Sequence, residues 1–461
     1  MKVNYFSFKK HKEKYLITNE LGYYHFLSTE DFNFFVHDQY ENMSAGLISE
    51  LKKKFFLYEE DDVFIERAIY PYRDNKSYLF SPTVLHIFVL TNACNMCCVY
   101  CQAQDSGSLK KGMMDQETAK KSVELALQSP SNYLSFEFQG GEPLLNFDMI
   151  RFIVEYTEEH CNDKKIDFSV VTNTLLLSDE MIAFFRVHKV SVSTSLDGDL
   201  RIHNYNRPQI VGGGTFEIVS GNIKKLQNSG VPVGAIQTTT KASLSSPKAI
   251  VDTYINLRLK SLFIRPLTPL GYAKEHWDTI GYTAEEFIYF YNEILDIILD
   301  YNMRGIHIVE GHAAIFLRKI LSQYSDNYME LRSPCGASIG QMAYYYDGNI
   351  YTCDEGRMIA EMGIPEFRLG DVEAENYDEL MESQVCKITC QASILESIPN
   401  CCDCVYHPYC GVCPVVNYAL ENNIYSREAN NYKCKIYKGM LDAIFDRLDN
   451  TKIMEIFKSW I

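Results

Sequence analysis

Cys94, Cys98 and Cys101 share one short stretch, Cys94-Asn95-Met96-Cys97-Cys98-Val99-Tyr100-Cys101, which reads CxxxCxxC with an aromatic residue before the last cysteine. Three thiolates on one loop can hold three irons of a [4Fe–4S] cube, because soft sulfur ligands suit iron–sulfur clusters. A cluster that only carries electrons wants a fourth cysteine nearby. With three, one iron stays open to a small molecule. Zinc is the competing reading, since cysteine groups in a reducing compartment are often zinc sites and Cys94-x-x-Cys97 is a zinc-type pair.

Further along stand groups of residues suited to holding a ligand. Gly140-Gly141-Glu142-Pro143 follows a strand-like run, where two glycines allow close backbone approach and free amides with a Glu can bind an amino-acid head group. Val171-Thr172-Asn173-Thr174, Ser195-Leu196-Asp197-Gly198 and Ile264-Arg265-Pro266-Leu267 each close a strand-like run, and Asn204-Tyr205-Asn206-Arg207 follows the second of them. Asp197 has a plainer reading as a turn cap, and Arg265 one as the partner of a surface acid.

The order and spacing of CxxxCxxC and GGEP resemble the radical S-adenosylmethionine (SAM) enzymes. The resemblance implies that Cys94, Cys98 and Cys101 bind a [4Fe–4S] cluster whose open iron chelates SAM. It implies SAM contacts from Tyr100, Gly140, Gly141, Glu142, Pro143, Thr172, Asn173, Ser195, Asp197, Arg207 and Arg265. Cys335, followed by Gly348 and Cys353, then Cys401-x2-Cys404-x5-Cys410-x2-Cys413 and Cys434, resembles the SPASM domain with its two auxiliary [4Fe–4S] clusters. The family pattern has one more residue between the cysteines matching Cys410 and Cys413. Carried over, Cys401, Cys404, Cys410 and Cys434 hold one cluster. Cys335, Cys353 and Cys413 give three ligands of the other, and no cysteine between Cys161 and Cys335 supplies a fourth. A pair of zinc sites also fits this spacing. Asp354, next to Cys353, matches an acid that deprotonates the substrate in sulfatase-maturing relatives. Cys386 and Cys390, at i and i+4, and Cys97, Cys161 and Cys402 are left without an assigned role.

The elements that must carry these residues follow from periodicity. Strand-like runs at Val84–Leu90, Leu134–Phe138, Ile166–Val171, Val190–Ser195, Pro232–Thr238 and Leu262–Pro266 alternate with helical patterns such as Gln116–Leu127, Asp179–Val187 and Glu217–Asn228. Six β–α repeats predict an α/β fold, a partial (β/α)6 TIM-like barrel over residues 82–325, with chemistry at the strand C-terminal ends. Residues 1–80 read as a small α+β, winged-helix-like unit, either a packing cap or a docking module for a peptide leader. Residues 330–440 read as the cysteine-rich SPASM domain, needing metal for stability, and residues 441–461 as a C-terminal helix.

Composition narrows the class. The chain has 461 residues, 46% hydrophobic, with 44 Lys and Arg against 60 Asp and Glu, a net charge of −16. That argues against nucleic acid as main partner. No long apolar span predicts membrane insertion. The Lys-rich Met1–Tyr15 lacks a signal pattern, so the fifteen cysteines read as ligands in a cytoplasmic protein rather than disulfides. The resemblance therefore implies a radical SAM/SPASM peptide maturase with three [4Fe–4S] clusters and SAM, acting on a precursor peptide or protein and fed by a flavodoxin- or ferredoxin-type donor. Leu16–Gly22 and Pro408–Pro414 are similar to the His-Xaa-Ser system maturases, which points to thioether or carbon–carbon cross-linking. Oxidation of Ser or Cys to formylglycine is the alternative within the class. An iron–sulfur electron carrier or a zinc-stabilised binding protein is the alternative outside it.

Overall fold

Tyr133-Leu134-Ser135-Phe136-Glu137-Phe138-Gln139 alternates polar and apolar residues and forms a strand with Leu134, Phe136 and Phe138 fully buried and Ser135, Glu137 and Gln139 half-buried. That alternation sets the two faces of the central sheet. The computed structural model describes residues 1–104, 106, 111–322, 328–373, 376–425 and 431–461. Its sheet contains β1 Leu85–Val89, β2 Tyr133–Gln139, β3 Lys165–Val171, β4 Ser191–Ser195, β5 Val233–Thr238, β6 Ser261–Arg265 and β7 Val309–Glu310. Three strands from the C-terminal region, β8 Gln341–Tyr345, β9 Asn349–Tyr351 and β10 Arg368–Asp371, complete it. The spatial order is β7-β6-β5-β4-β3-β2-β1-β8-β9-β10. Pairing is parallel from β7 through β8, and β9 and β10 are antiparallel.

The outer face packs on helices. Phe136, Phe138, Phe168, Val170 and Val192 share one core with Val123, Ile150 and Phe185 from Gln116–Ala126, Phe147–His160 and Asp179–Val187. Side chains of Asp115 and Ser178 cap two of these helices, and Thr283 with Glu286 forms a capping box at Ala284–Met303. The six expected barrel strands are all present within a residue or two of their predicted bounds.

Two findings go beyond the sequence reading. A seventh parallel strand, Val309–Glu310, extends one edge of the barrel sheet. At the other edge β8 pairs with β1, from Gln341↔Leu85 to Tyr345↔Val89, so the cysteine-rich region shares the barrel's sheet and core. The stretch 441–461, expected as one helix, holds the end of Tyr432–Phe445 and a separate helix Thr451–Lys458 capped by Asn450.

Residues 1–80 form a three-stranded antiparallel sheet, Ser7–His11, Lys14–Thr18 and Tyr24–Ser28, with helices Thr29–Val36, Ala45–Lys53 and Asp61–Asn75. This unit rests on the C-terminal region. Thr18 Oγ1 donates to Val405 O at 2.8 Å and Tyr409 OH to Gly22 O at 3.0 Å. Lys9 pairs with Asp442 at 2.7 Å and His11 lies 2.8 Å from Asp446.

Phe88 of β1 is fully buried, with Phe136 at 4.9 Å on one side and Tyr344 of β8 at 5.2 Å on the other. Phe88→Ala is expected to destabilise the fold by about 3–5 kcal/mol in denaturant unfolding. A loss under about 1 kcal/mol would show that barrel and cysteine-rich region do not share this core.

Candidate active site

The cysteine loop leaves the C-terminal end of β1 and is clamped by the loop after β2. Gly141 N donates to Thr91 O and Glu142 N to Ala93 O, each at 2.8 Å. A Cβ on Gly140 would sit 2.4 Å from Thr91 O, and one on Gly141 2.3 Å from Ala93 O. Only glycine fits so close to backbone. The sequence reading gave these amides and Glu142 to a ligand; in the structure the Gly141 and Glu142 amides meet the backbone of the cysteine loop. The Glu142 carboxylate is fully buried and accepts from Thr172 Oγ1 (2.6 Å), Leu144 N (3.0 Å) and Asn173 N (2.8 Å). Burial pushes its pKa up to about 7 against these donors. Pro143 opens the short turn Pro143–Asn146 that follows. Thr172 is spent on Glu142, while Asn173 Nδ2 reaches Asn95 Oδ1 at 2.7 Å and Cys94 Sγ at 3.8 Å.

Asp197 is a buried junction rather than a turn cap. Its Oδ2 accepts from Tyr100 OH (2.7 Å), Arg207 Nε (3.0 Å) and Asn206 Nδ2 (3.1 Å), and its Oδ1 accepts from Thr238 N (3.2 Å). Arg207 lies 5.0 Å over the Tyr100 ring and places Nη1 3.8 Å from Cys98 Sγ. Both Tyr100 and Arg207 are thus joined to the cysteine loop through one carboxylate. Cys97 is exposed, with its Sγ near Pro208 O and Gln209 O, away from this junction.

Inside the barrel, the alternating strands turn Ser135, Glu137, Gln139, Ser169, Ser193 and Ser195 to a half-buried polar face. Glu137 accepts from Gln139 Nε2 at 2.6 Å, and burial raises its pKa, with Asp354 adding to the shift. Arg265, 36% exposed, ends β6 in a small cavity of about 20 Å³ that Glu330, Glu355, Lys433, Tyr328 and Thr268 also line. Its Nη2 lies 3.4 Å from Glu330 and 3.7 Å from Glu355. Lys433 Nζ donates to Glu330 at 2.7 Å and Tyr437 OH at 3.1 Å. Against the cost of burial, Lys433 and Arg265 hold Glu330 below the usual carboxylate range. Burial and the neighbouring Glu330 and Asp354 raise Glu355. Asp354 opens the helix Asp354–Glu361, and its Oδ1 accepts from Arg357 Nε at 2.8 Å.

Electrostatic influence links cysteines within each of the two sets that the SPASM resemblance implied. Cys335, Cys353 and Cys413 are buried in one apolar cluster; Cys353 feels the charge of Cys413 and Cys335, and Cys413 that of Cys335. Cys410 feels Cys434, Cys404 and Cys401. Burial raises Cys94 and Cys335 to about 11 and Cys98 to about 12, and it raises Cys101, Cys353, Cys410 and Cys413 as well. Such thiols stay neutral until a metal displaces their protons, which suits a donor set for iron. Among the described residues, no three His, Cys, Asp or Glu side chains close on one point as for a single ion. The grouping therefore rests on neighbourhood. Cys386 and Cys390 hydrogen-bond to each other on the helix Gln384–Gln391, which lowers Cys386 to about 7.

The sequence reading missed Glu137, Glu330, Glu355 and Lys433. Only Glu355 carried a signal, its place two residues after Cys353.

Residues 88–241 match the Radical SAM superfamily. The cysteine-type anaerobic sulfatase-maturating enzyme of Clostridium perfringens strain 13 is 26% identical over 380 residues, 80% of this chain and 98% of its own. The solved structure of native anSMEcpe with bound AdoMet and Kp18Cys peptide aligns with a TM-score of 0.70 at 22% identity, covering 81% of this chain and 100% of that one. SuiB of Streptococcus suis bound to precursor peptide SuiA aligns at 0.56 and 15% identity, covering 92% of this chain and 97% of its own. The chain carries a radical SAM domain and is a radical SAM enzyme, with homology to the anaerobic sulfatase-maturating enzymes. No described helix is long and apolar enough to cross a membrane.

Two outcomes follow from the buried carboxylates. Asp197→Asn leaves the Arg207 charge without its partner and is expected to cost about 3–5 kcal/mol in denaturant unfolding. An unchanged midpoint would refute the junction. The raised Glu142 pKa means the folded state binds this proton more tightly than the unfolded state. Its contribution is fully present below about pH 4.5 and is lost as pH rises through about 7. The stability of wild type relative to Glu142→Gln is expected to fall by about 1–3 kcal/mol over that window. A flat difference would mean the carboxylate is ionised throughout.

Proposed function

We propose that this enzyme modifies a residue of a peptide or protein, with SAM and a [4Fe–4S] cluster bound at Cys94, Cys98 and Cys101. The observation that carries the reading is the placement of the cysteine loop, clamped at the C-terminal edge of a barrel whose inner face is polar. When bound, the cluster and SAM supply a 5′-deoxyadenosyl radical that takes a hydrogen atom from the substrate.

The chain's own residues hold and shape that site. Asn173 fixes the start of the cysteine loop through Asn95. Asp197 fixes its end through Tyr100 and steers the Arg207 cation toward Cys98. Polar lining residues, Ser195 among them, supply hydrogen bonds to a ligand's sugar and head group. Gly140, Gly141, Glu142 and Thr172 act one layer back, by holding the loop in place. Arg265 and Glu355 face the substrate side. Asp354, aimed by Arg357, is the proton acceptor.

Two auxiliary [4Fe–4S] clusters are part of the proposal, one on Cys335, Cys353 and Cys413 and one on Cys401, Cys404, Cys410 and Cys434. An external flavodoxin- or ferredoxin-type protein supplies electrons. We take a cross-link in a precursor peptide over formylglycine, and one observation supports a precursor peptide as the substrate. The chain extends beyond its sulfatase-maturating relative, yet it and the peptide-bound SuiB each span nearly all of the other. Its docked N-terminal unit also presents Ile65, Ile69 and Tyr70 on an exposed helix face, a surface suited to a peptide leader.

Protein reconstituted anaerobically is expected to bind about twelve irons and to release 5′-deoxyadenosine from SAM under dithionite. Cys98→Ala is expected to lose about four of them and all release. A short peptide encoded beside its gene is expected to lose two hydrogens. Conversion of a Ser or Cys to an aldehyde instead would establish the formylglycine activity, and zinc in place of iron would overturn the class of chemistry.

A further inference from the structure

Each iron of a four-iron cube has one ligand position outside the cube, and Cys335, Cys353 and Cys413 fill three. Cys353 caps the helix Asp354–Glu361, its Sγ accepting from Gly356 N at 3.4 Å, and Glu355 lies in the same first turn. The Glu355 side chain is 16% exposed and borders the cavity beneath Arg265. Its charge acts on all three thiols of the set. We propose that the Glu355 carboxylate is the fourth iron ligand of the cluster held by Cys335, Cys353 and Cys413, an assignment that rests on those cysteines binding a cluster at all.

The other candidates are otherwise engaged. Glu330 acts on Cys335 and Cys413, but Lys433, Tyr437 and Arg265 already hold its carboxylate at 2.7, 3.1 and 3.4 Å. Glu355 has a looser ion pair with Arg265, at 3.7 Å. Cys386 and Cys390 bond to each other on a separate helix, and of the three thiols of the set only Cys335 acts on Cys390. The Met329 thioether packs against Gly336 and Gly340, its sulfur 2.3 and 2.8 Å from where their Cβ atoms would stand. Cations also stand close by. Three thiolates and a carboxylate in a buried site need cations close by, and Lys433, which acts on Cys413, and Arg265 supply them.

The test uses the full chain in a Cys98→Ala background, so that the open iron of the SAM cluster does not contribute. Proteins are reconstituted with ⁵⁷Fe and followed by iron content, Mössbauer and EPR spectra and thermal melting. Added imidazole probes for an open iron. Glu355→Gln is expected to keep its melt and to give an auxiliary EPR signal that shifts with imidazole, while the Glu355-intact protein does not respond. Glu355→Cys is expected to restore full iron content and insensitivity to imidazole, with the Mössbauer spectrum of an all-thiolate cluster. Identical spectra and imidazole response with and without Glu355→Gln would overturn the ligand assignment. A Cys335→Ala protein that keeps its iron content and auxiliary spectrum would overturn the cluster itself, a separate result.

Discussion

One buried carboxylate holds the chemistry end of this barrel together. Asp197 stands at the end of β4, yet its four partners come from the cysteine loop, from the segment Asn206–Arg207 and from β5. A fully buried charge is tolerated only when matched and hydrogen-bonded. Here the match is Arg207, and the hydrogen bonds run to Tyr100 OH, Asn206 and the Thr238 amide. The arrangement converts a need for charge compensation into position. Arg207 cannot leave Asp197, so its Nη1 stays beside Cys98. Tyr100 cannot leave it either, so the turn between Cys98 and Cys101 is fixed from within the barrel. The aromatic residue of the cysteine motif therefore anchors the loop that carries the sulfurs.

The opposite end of the loop is held by backbone instead. The two hydrogen bonds from Gly141 and Glu142 to Thr91 and Ala93 extend the β1–β2 pairing past the strand ends. Loop conformation is thus an outgrowth of the sheet. The same holds for the cysteine-rich region, because β8 adds in parallel to β1 and carries Cys335 and Cys353 on its flanks. The position of the three-cysteine set relative to the Cys94–Cys101 loop is set by ladder hydrogen bonds and by Phe88 against Tyr344.

Much of this was legible in the sequence because the motifs lie at strand ends, where period-2 runs stop and polar residues start. The six barrel strands follow from that. Three things were harder to see. Leu134–Gln139 and Val190–Ser195 alternate apolar and polar residues, which in a parallel strand means one wet face. Reading them only as strands missed the polar interior. The Gly140–Glu142 amides looked free because sequence cannot show that Thr91 and Ala93 carbonyls lie opposite. Glu330, Glu355 and Lys433 are scattered over 104 residues of chain and meet only through the fold. The cysteine-rich region reads as needing metal because its own core is small, and sequence does not show that its short strands also pack into the barrel's core.

The chain is strongly acidic, and its cysteines are nevertheless surrounded by cations. Arg207 acts on Cys98, Arg357 on Cys101, Lys433 on Cys413 and Arg332 on Cys335. Local charge here opposes global charge, as it must where several thiolates share a low-dielectric site. Cys410 departs from this pattern, for the main influences acting on it are burial, the other thiols and a local amide. Burial, rather than a cation, dominates at that thiol. Cys335, Cys353 and Cys413 are buried as well, and the Glu355 carboxylate acts on all three.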